Sequence, residues 1–246
     1  MTQSILSIRR LRANYGAKPV LQGIDLEIAP GEWFSLLGPN GSGKTTLLRC
    51  VSGQLTPTSG SVWIGGYSVH EAPERAKRQL GFAHPPEELP GLLTGRQCLE
   101  VYAGAHGLPG VGAATFELAT RLKLEAALDR PVATYSLGMR QKLSILLALI
   151  NDPMIMVLDE SFNGLDPWSA SIVKNELWSR VERSGRAVLL ATHALDLVMR
   201  YSTRVALLLD GSVEKTWDTR ELRLLQSKGL DALQSELARA AQTQPA

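Results

Sequence analysis

The stretch Trp33-Phe34-Ser35-Leu36-Leu37-Gly38-Pro39-Asn40-Gly41-Ser42-Gly43-Lys44-Thr45-Thr46 decides how the rest of the chain is read. Trp33 to Leu37 has the composition of a buried strand and stops at Gly38. From Gly43 to Ser52 the spacing turns helical. Between the two, Gly38 to Thr45 fits G-x-x-x-x-G-K-[ST]. Strand, glycine-rich loop and helix in this order form a cradle for a polyphosphate. Glycines let backbone N–H groups close around the anion, and the helix presents an N-terminus worth roughly half a positive charge. Lys44 adds a full charge at the outer phosphates, and Thr45 offers a hard oxygen for Mg²⁺.

The same alternation runs outward in both directions. Leu6 to Tyr15 and Val20 to Ile28 read as strands, and Gly60 with Gly65-Gly66 punctuates a short hairpin around Val62 to Ile64. Glu74 to Gln79 reads as a helix and Leu80 to Ala83 as a strand. Residues 85–150 break the pattern. Thr94 to His106 and Ala113 to Leu128 have helical spacing, and Ser136 caps a long helix with Leu143, Leu146, Leu147 and Ile150 on one face. Alternation then returns with a strand at Met154 to Leu158, a helix at Pro167 to Glu182, a strand at Ala187 to Ala191 and a hairpin turning at Asp210-Gly211. The end of the chain is amphipathic, with Leu230, Leu233 and Leu237 on one helical face, and its last few residues are expected to fray. Strands alternating with helices predict a parallel sheet covered on both faces.

The strand Met154-Ile155-Met156-Val157-Leu158 ends in Asp159-Glu160. A strand without polar side chains is expected at the centre of the sheet, so its C-terminal end falls beside the phosphate loop. There Asp159 would hold Mg²⁺ through water. Glu160 would polarise an attacking water as general base, an effect worth about 10²–10⁴-fold in rate. His193 follows the neighbouring buried strand and is expected to reach a terminal phosphate.

Composition narrows the classes. With 26 Lys+Arg against 24 Asp+Glu the net charge is +2, which gives no nucleic-acid or membrane-surface signal. The longest apolar run, Ile145 to Ile150, is far short of the about 20 residues of a membrane span. The opening MTQSILSIRR lacks an apolar stretch ahead of its arginines, so no export signal is read. Cys50 and Cys98 cannot build a disulfide framework or a four-ligand zinc site, and are expected as reduced thiols.

Between the loop and the acidic strand stands Tyr135-Ser136-Leu137-Gly138-Met139-Arg140-Gln141-Lys142. Together with Gly38 to Thr45, Asp159-Glu160, Asn163-Gly164-Leu165-Asp166 and Thr192-His193, in that order, it makes the chain resemble the nucleotide-binding subunit of an ATP-binding-cassette (ABC) transporter over roughly residues 5–220. The resemblance implies an α/β fold: a P-loop NTPase core of RecA type, a small antiparallel β region and an inserted α-helical lobe. It implies one domain, with core segments 1–84 and 151–220, a helical lobe at 85–150 and a C-terminal tail at 221–246. ATP and Mg²⁺ are the implied ligands. Lys44, Glu160 and His193 are the implied catalytic groups, and Thr45 and Asp159 the metal ligands. Nucleotide contacts fall on Tyr15, which would stack on adenine, on Gly38, Pro39, Asn40, Gly41, Ser42, Gly43, Lys44, Thr45 and Thr46, and across a dimer on Ser136, Gly138 and Asp166. Ser136 and Gly138 open a helix, so a hydroxyl, N–H groups and the helix dipole face an anion.

The resemblance also implies a second nucleotide-binding subunit placed head to tail, a copy of this chain in preference to a different one, and a separate transmembrane permease subunit. It places the pair on the cytoplasmic side of the plasma (inner) membrane, with no nucleic acid. The alternative is a soluble or regulatory ABC ATPase not coupled to transport. Two departures matter. The signature reads Y-S-L-G-M where the family most often has L-S-G-G-Q, which resembles the exporter branch for drugs, antibiotics, peptides or lipids. Four residues after Gly81, where the family has glutamine, stands Pro85. It has no side-chain oxygen, and Glu87 and Glu88 are out of register. Slowed hydrolysis is expected.

Overall fold

The computed structural model describes residues 4–242 of the chain. The fraying expected at the C-terminal end falls outside that range. Strands β1 (Leu6–Tyr15) and β2 (Lys18–Ile28) form a hairpin, and β3 (Trp33–Leu37) leads through the glycine loop into α1 (Lys44–Val51). A second hairpin, β4 (Ser59–Ile64) and β5 (Tyr67–Ser68), precedes α2 (Pro73–Arg78) and β6 (Leu80–Ala83). A helical stretch carries α3 (Gly95–Ala105), α4 (Ala113–Arg121) and α5 (Leu137–Leu149). Then β7 (Ile155–Asp159), α6 (Pro167–Ser184), β8 (Ala187–Ala191) and α7 (Leu195–Tyr201) alternate. The hairpin β9 (Arg204–Leu209) and β10 (Ser212–Trp217) is followed by α8 (Thr219–Lys228) and α9 (Leu230–Gln242).

Six strands form one sheet in the order β10-β9-β3-β8-β7-β6, and all but the edge strand β10 run parallel. The other four form an antiparallel sheet, β2-β1-β4-β5. The period of two along each strand divides the core. From β7, Ile155 and Val157 face a core shared with Leu47, Cys50 and Val51 of α1 and with Leu21 and Ile24 of β2. Met156 and Leu158 face the opposite core, which holds Leu143, Leu146 and Leu147 of α5, Val173 and Leu177 of α6, and Cys98 of α3. A third cluster joins Leu37, Leu207 and Trp217 to Leu222 and Leu233 of the last two helices.

Two readings need correction. β7 is not central but one strand from the edge, flanked by β8 and β6. A fully apolar strand needs a partner on each side, not the middle place. The helix read from Ala113 to Leu128 ends at Arg121. Lys123 takes a positive φ of 56°, and Glu125–Ala127 form a short 3₁₀ turn. The apolar spacing carries on because Leu122, Leu124 and Leu128 are buried by the turn as well as they would be by a helix. Of the three tail leucines, Leu233 is fully buried and Leu237 packs beside it, whereas Leu230 is exposed.

Candidate nucleotide site

The phosphate loop is held by its surroundings before any ligand is considered. A Cβ at Gly38 would lie 2.3 Å from the Leu208 carbonyl oxygen and 2.6 Å from Ser42 Oγ, so only glycine lets the loop leave β3 here. Ser42 N–H donates to the Pro39 carbonyl at 3.3 Å. Lys44, the first residue of α1, folds its ammonium back to donate to the Gly38 and Pro39 carbonyls at 2.7 and 3.1 Å. Burial pulls the pKa of that ammonium below its ordinary value, and Glu160 and Asp159 oppose the shift.

Across the sheet, Thr45 Oγ1 donates to Asp159 Oδ2 at 2.6 Å, joining the start of α1 to the end of β7. Burial raises the Asp159 carboxyl above the usual range, and neighbouring Glu160 adds to this. The Thr45 hydrogen bond, Lys44 and Arg49 work the other way. Glu160 has a positive φ of 47°, a conformation that costs a non-glycine residue of order 1 kcal/mol or more and recurs at functional sites. Its N–H donates to the Ala191 carbonyl at 3.0 Å. His193 Nδ1 lies 2.8 Å from Glu160 Oε1, and because a carboxylate only accepts, the imidazole donates. The Thr192 hydroxyl donates to the other carboxylate oxygen at 3.4 Å.

Asn40, Gly41, Gly43, Lys44, Thr45, Thr46, Asp159 and Glu160 line one cleft of about 260 Å³, while Gly38, Pro39, Ser42 and His193 stand outside that wall. Val20 of β2 completes it, a residue the sequence did not single out because an apolar strand position carries no chemical mark. Thr192 was likewise read only as part of a motif.

The remaining expected residues stand apart from the cleft. Tyr15 is 48% exposed at the end of β1. Ser136 caps α5, its Oγ accepting from Met139 N–H at 3.3 Å. Gly138 lies against the loop that follows Glu160, where a Cβ would be 2.7 Å from the Gly164 carbonyl oxygen. Asp166 caps α6, accepting from the Ser169 N–H and hydroxyl at 2.8 and 2.7 Å, and its carboxylate pairs with Lys142 at 3.1 Å. The Ser169 hydroxyl, then its N–H, then Lys142 hold that carboxyl far below the usual range. Pro85 opens a 3₁₀ turn over Pro86–Glu88. Glu87 is exposed, and Glu88 lies 3.5 Å from the Arg49 guanidinium and 3.9 Å from His84. Neither glutamate lines the cleft.

The cleft's donor set fits a polyphosphate and a divalent ion. Ser42 Oγ is buried without a hydrogen-bond partner among the described residues, which is what a loop built around an anion leaves behind. Thr45 and Asp159 place two hard oxygens together. That number suffices for Mg²⁺, which keeps waters and phosphate oxygens as its other ligands.

A doubly covered parallel sheet, a strand–glycine-loop–helix cradle and an acidic strand end beside it define a nucleotide-binding ATPase domain. The model of the ABC transporter family matches residues 21–163, and the chain belongs to that family, carrying its ATPase domain. Over 214 residues it is 37% identical to the uncharacterized ABC transporter ATP-binding protein YdbJ of Bacillus subtilis, covering 87% of this chain and 69% of that one. Over 212 residues it is 34% identical to the Nod factor export ATP-binding protein I of Ralstonia nicotianae, 84% of this chain and 65% of that one. It is 38% identical over 211 residues to the rat (Rattus norvegicus) ATP-binding cassette sub-family A member 7, and there it spans only 10% of the relative's length. Among solved structures, the ATP binding subunit of an ABC transporter superposes with a TM-score of 0.85 at 30% identity, over 96% of this chain and all of that one. A dimeric bacterial ABC transporter cassette superposes with a TM-score of 0.79 at 25% identity, over 87% of this chain and 99% of that one.

Proposed function

We propose that this chain binds and hydrolyses ATP to drive export through a separate transmembrane subunit. The observation that carries the reading is the meeting of Lys44 and Thr45 with Asp159 and Glu160 in one cleft, although 114 residues separate Thr45 from Asp159. The phosphate loop and Lys44 bind the phosphates. Thr45 and Asp159 would hold Mg²⁺, which would supply charge neutralisation at the phosphates. Glu160 orients and deprotonates the attacking water. His193, donating to Glu160, fixes that carboxylate and faces the terminal phosphate.

Ser136, Gly138 and Asp166 lie outside the cleft, which supports a site completed by a second copy: Ser136 and Gly138 would cap the nucleotide held by the partner, and Asp166 would link the two sites. The dimeric cassette among the structural neighbours supports the same assembly. We read one domain, with the helical segment 85–150 inserted into a core made of 1–84 and 151–220 and followed by the tail 221–246. Export as the direction rests on the Y-S-L-G-M signature and on the relative named for Nod factor export. The separate transmembrane subunit would hold this chain at the cytoplasmic face; no helix among the described residues is long and apolar enough to cross a membrane.

The test is Glu160→Gln. ATP turnover should fall by about 10²–10⁴-fold while MgATP binding persists. Turnover equal to wild type would overturn the assignment. Tagged Glu160→Gln subunit, trapped with ATP and drawn from membranes, should bring down a protein with several apolar spans. Recovery without one would remove the transport reading.

A further inference from the structure

The phosphate loop has a second support that the motif does not reveal. The turn between β9 and β10 is Asp210-Gly211, with φ of 43° and 78°. A tight hairpin turn of this kind ordinarily points to solvent. Here it is wedged between β2 and the phosphate loop. Gly211 N–H donates to the Ser42 carbonyl at 3.0 Å, Gln22 N–H donates to the Gly211 carbonyl at 2.8 Å, and the Gln22 side-chain amide donates to the Asp210 carbonyl at 2.8 Å. A Cβ on Gly211 would lie 2.1 Å from the Val20 carbonyl oxygen and 2.8 Å from its carbon, both backbone. Glycine is therefore demanded twice, by the positive φ and by the absence of space. On the other side, a Cβ on Gly43 would meet Leu21 Cδ2 at 2.9 Å and the Val20 carbonyl at 3.1 Å, and the Leu208 carbonyl closes on Gly38 as described. Three segments thus interlock, with backbone against backbone at Gly211–Val20 and Gly38–Leu208: residues 20–22, the loop around 38–43, and 208–211.

We propose that the Asp210-Gly211 turn, pinned by Gln22, is the keystone that holds the phosphate loop in its anion-binding shape, making Gly211 and Gln22 positioning residues for nucleotide binding. Gly211 fixes the Ser42 peptide from outside, on the side away from the phosphates. Gln22 fixes the turn to the same strand that contributes Val20 to the cleft wall. Neither residue lines the cleft. This deepens the ATP reading above and rests on it.

The test compares MgADP affinity, measured calorimetrically on the full chain, with thermal stability for wild type, Gln22→Ala, Gly211→Ala and Lys215→Ala. Lys215 lies in the same hairpin but pairs with Glu236 at 2.9 Å, away from the loop, and serves as the control. Loss of one side-chain hydrogen bond should weaken MgADP binding by about five-fold in Gln22→Ala. Gly211→Ala should lose more, and Gly211→Asn should not rescue it, since asparagine tolerates the φ but still collides with Val20. Lys215→Ala should lose stability comparable to that of Gln22→Ala and keep wild-type affinity. Wild-type affinity in both loop-side variants, or affinity lost in Lys215→Ala in the same proportion to stability, would overturn the proposal. If Gly211→Ala does not fold, Gln22→Ala decides alone. A wild-type chain that binds neither MgATP nor MgADP would remove the nucleotide reading itself, a separate result from equal binding in all four proteins.

Discussion

Gly95 and Tyr135 form a pair whose double-mutant cycle tests how the start of α5 is seated. Tyr135 is 4% exposed, and its hydroxyl donates to the Ala127 carbonyl at 2.6 Å. Gly95 opens α3 directly against that hydroxyl. A Cβ there would lie 2.4 Å from Tyr135 Oη, but 3.3 Å from its Cζ and 3.2 Å from Leu128 Cδ2. Gly95→Ala alone gains less than about 1 kcal/mol of helix preference and suffers overpacking of about 1–3 kcal/mol. Tyr135→Phe alone loses one hydrogen bond, about 1 kcal/mol. The carbonyl it leaves is not orphaned, because Arg130 N–H also donates to it at 3.0 Å. In the double variant the colliding oxygen is gone, and the remaining contacts need a shift of a few tenths of an ångström. The double variant should therefore be no less stable than Tyr135→Phe, with a favourable coupling of about 1–3 kcal/mol. Urea unfolding of the four proteins measures it, and each 1 kcal/mol should also move the melting temperature by about 2–4 °C. Additivity within about 0.5 kcal/mol would refute the reasoning and would mean that Tyr135 does not hold its rotamer against α3.

Three further outcomes are expected. Asp166→Ala removes the cap of α6 and the acceptor for Lys142, and should destabilise by about 1–2 kcal/mol in chemical denaturation, with Asp166→Asn recovering most of it. Pro85→Gln should raise ATP turnover at saturating MgATP, and an unchanged rate would show that the missing oxygen is not what limits it. Stability should fall as pH drops below about 6.5. Burial holds the His84 and His106 imidazoles below their ordinary pKa, with Glu88 opposing this at His84 and Arg78 adding to it at His106. Both rings therefore take up protons more readily in the unfolded chain, and the stability they contribute above that pH is lost on acidification. A His106→Gln variant should show a flatter profile of melting temperature between pH 7.5 and 5.5, and an identical slope would refute the assignment.

Where one force dominated, the sequence was readable. Trp33–Leu37 and Leu80–Ala83 were bounded correctly because Gly38 closes the first run and His84 with Pro85-Pro86 follows the second. The cleft was legible because charge and glycine mark it at both ends. Where two solutions bury the same side chains, the pattern was silent, as at Lys123. There the Thr120 hydroxyl lies 2.8 Å from Glu125 Oε2, to which it can donate, and 3.0 Å from the Phe116 carbonyl, tying the helix end to the turn. Helix α8 was missed for a different reason. Its Asp218/Glu221 capping box was in plain view, but only Leu222 is fully buried, so apolar periodicity had little to detect. The keystone at Gly211 was read as a hairpin turn and nothing more, because a contact between distant backbones leaves no trace in residue type.

The two thiols have a use that follows from where they lie. Cys50 points from α1 into the core on one face of the sheet and Cys98 lies in the core on the opposite face, both buried, and burial pushes the Cys50 thiol up to about 11 and raises Cys98 as well. Neither reacts while its surroundings stay closed, so each is a clock for the opening of one side of the molecule. A thiol reagent added to the native chain would time the two sides separately. Nucleotide gripped at the head of α1 should slow the Cys50 clock more than the Cys98 clock, turning two inert residues into a local record of what the ligand stiffens.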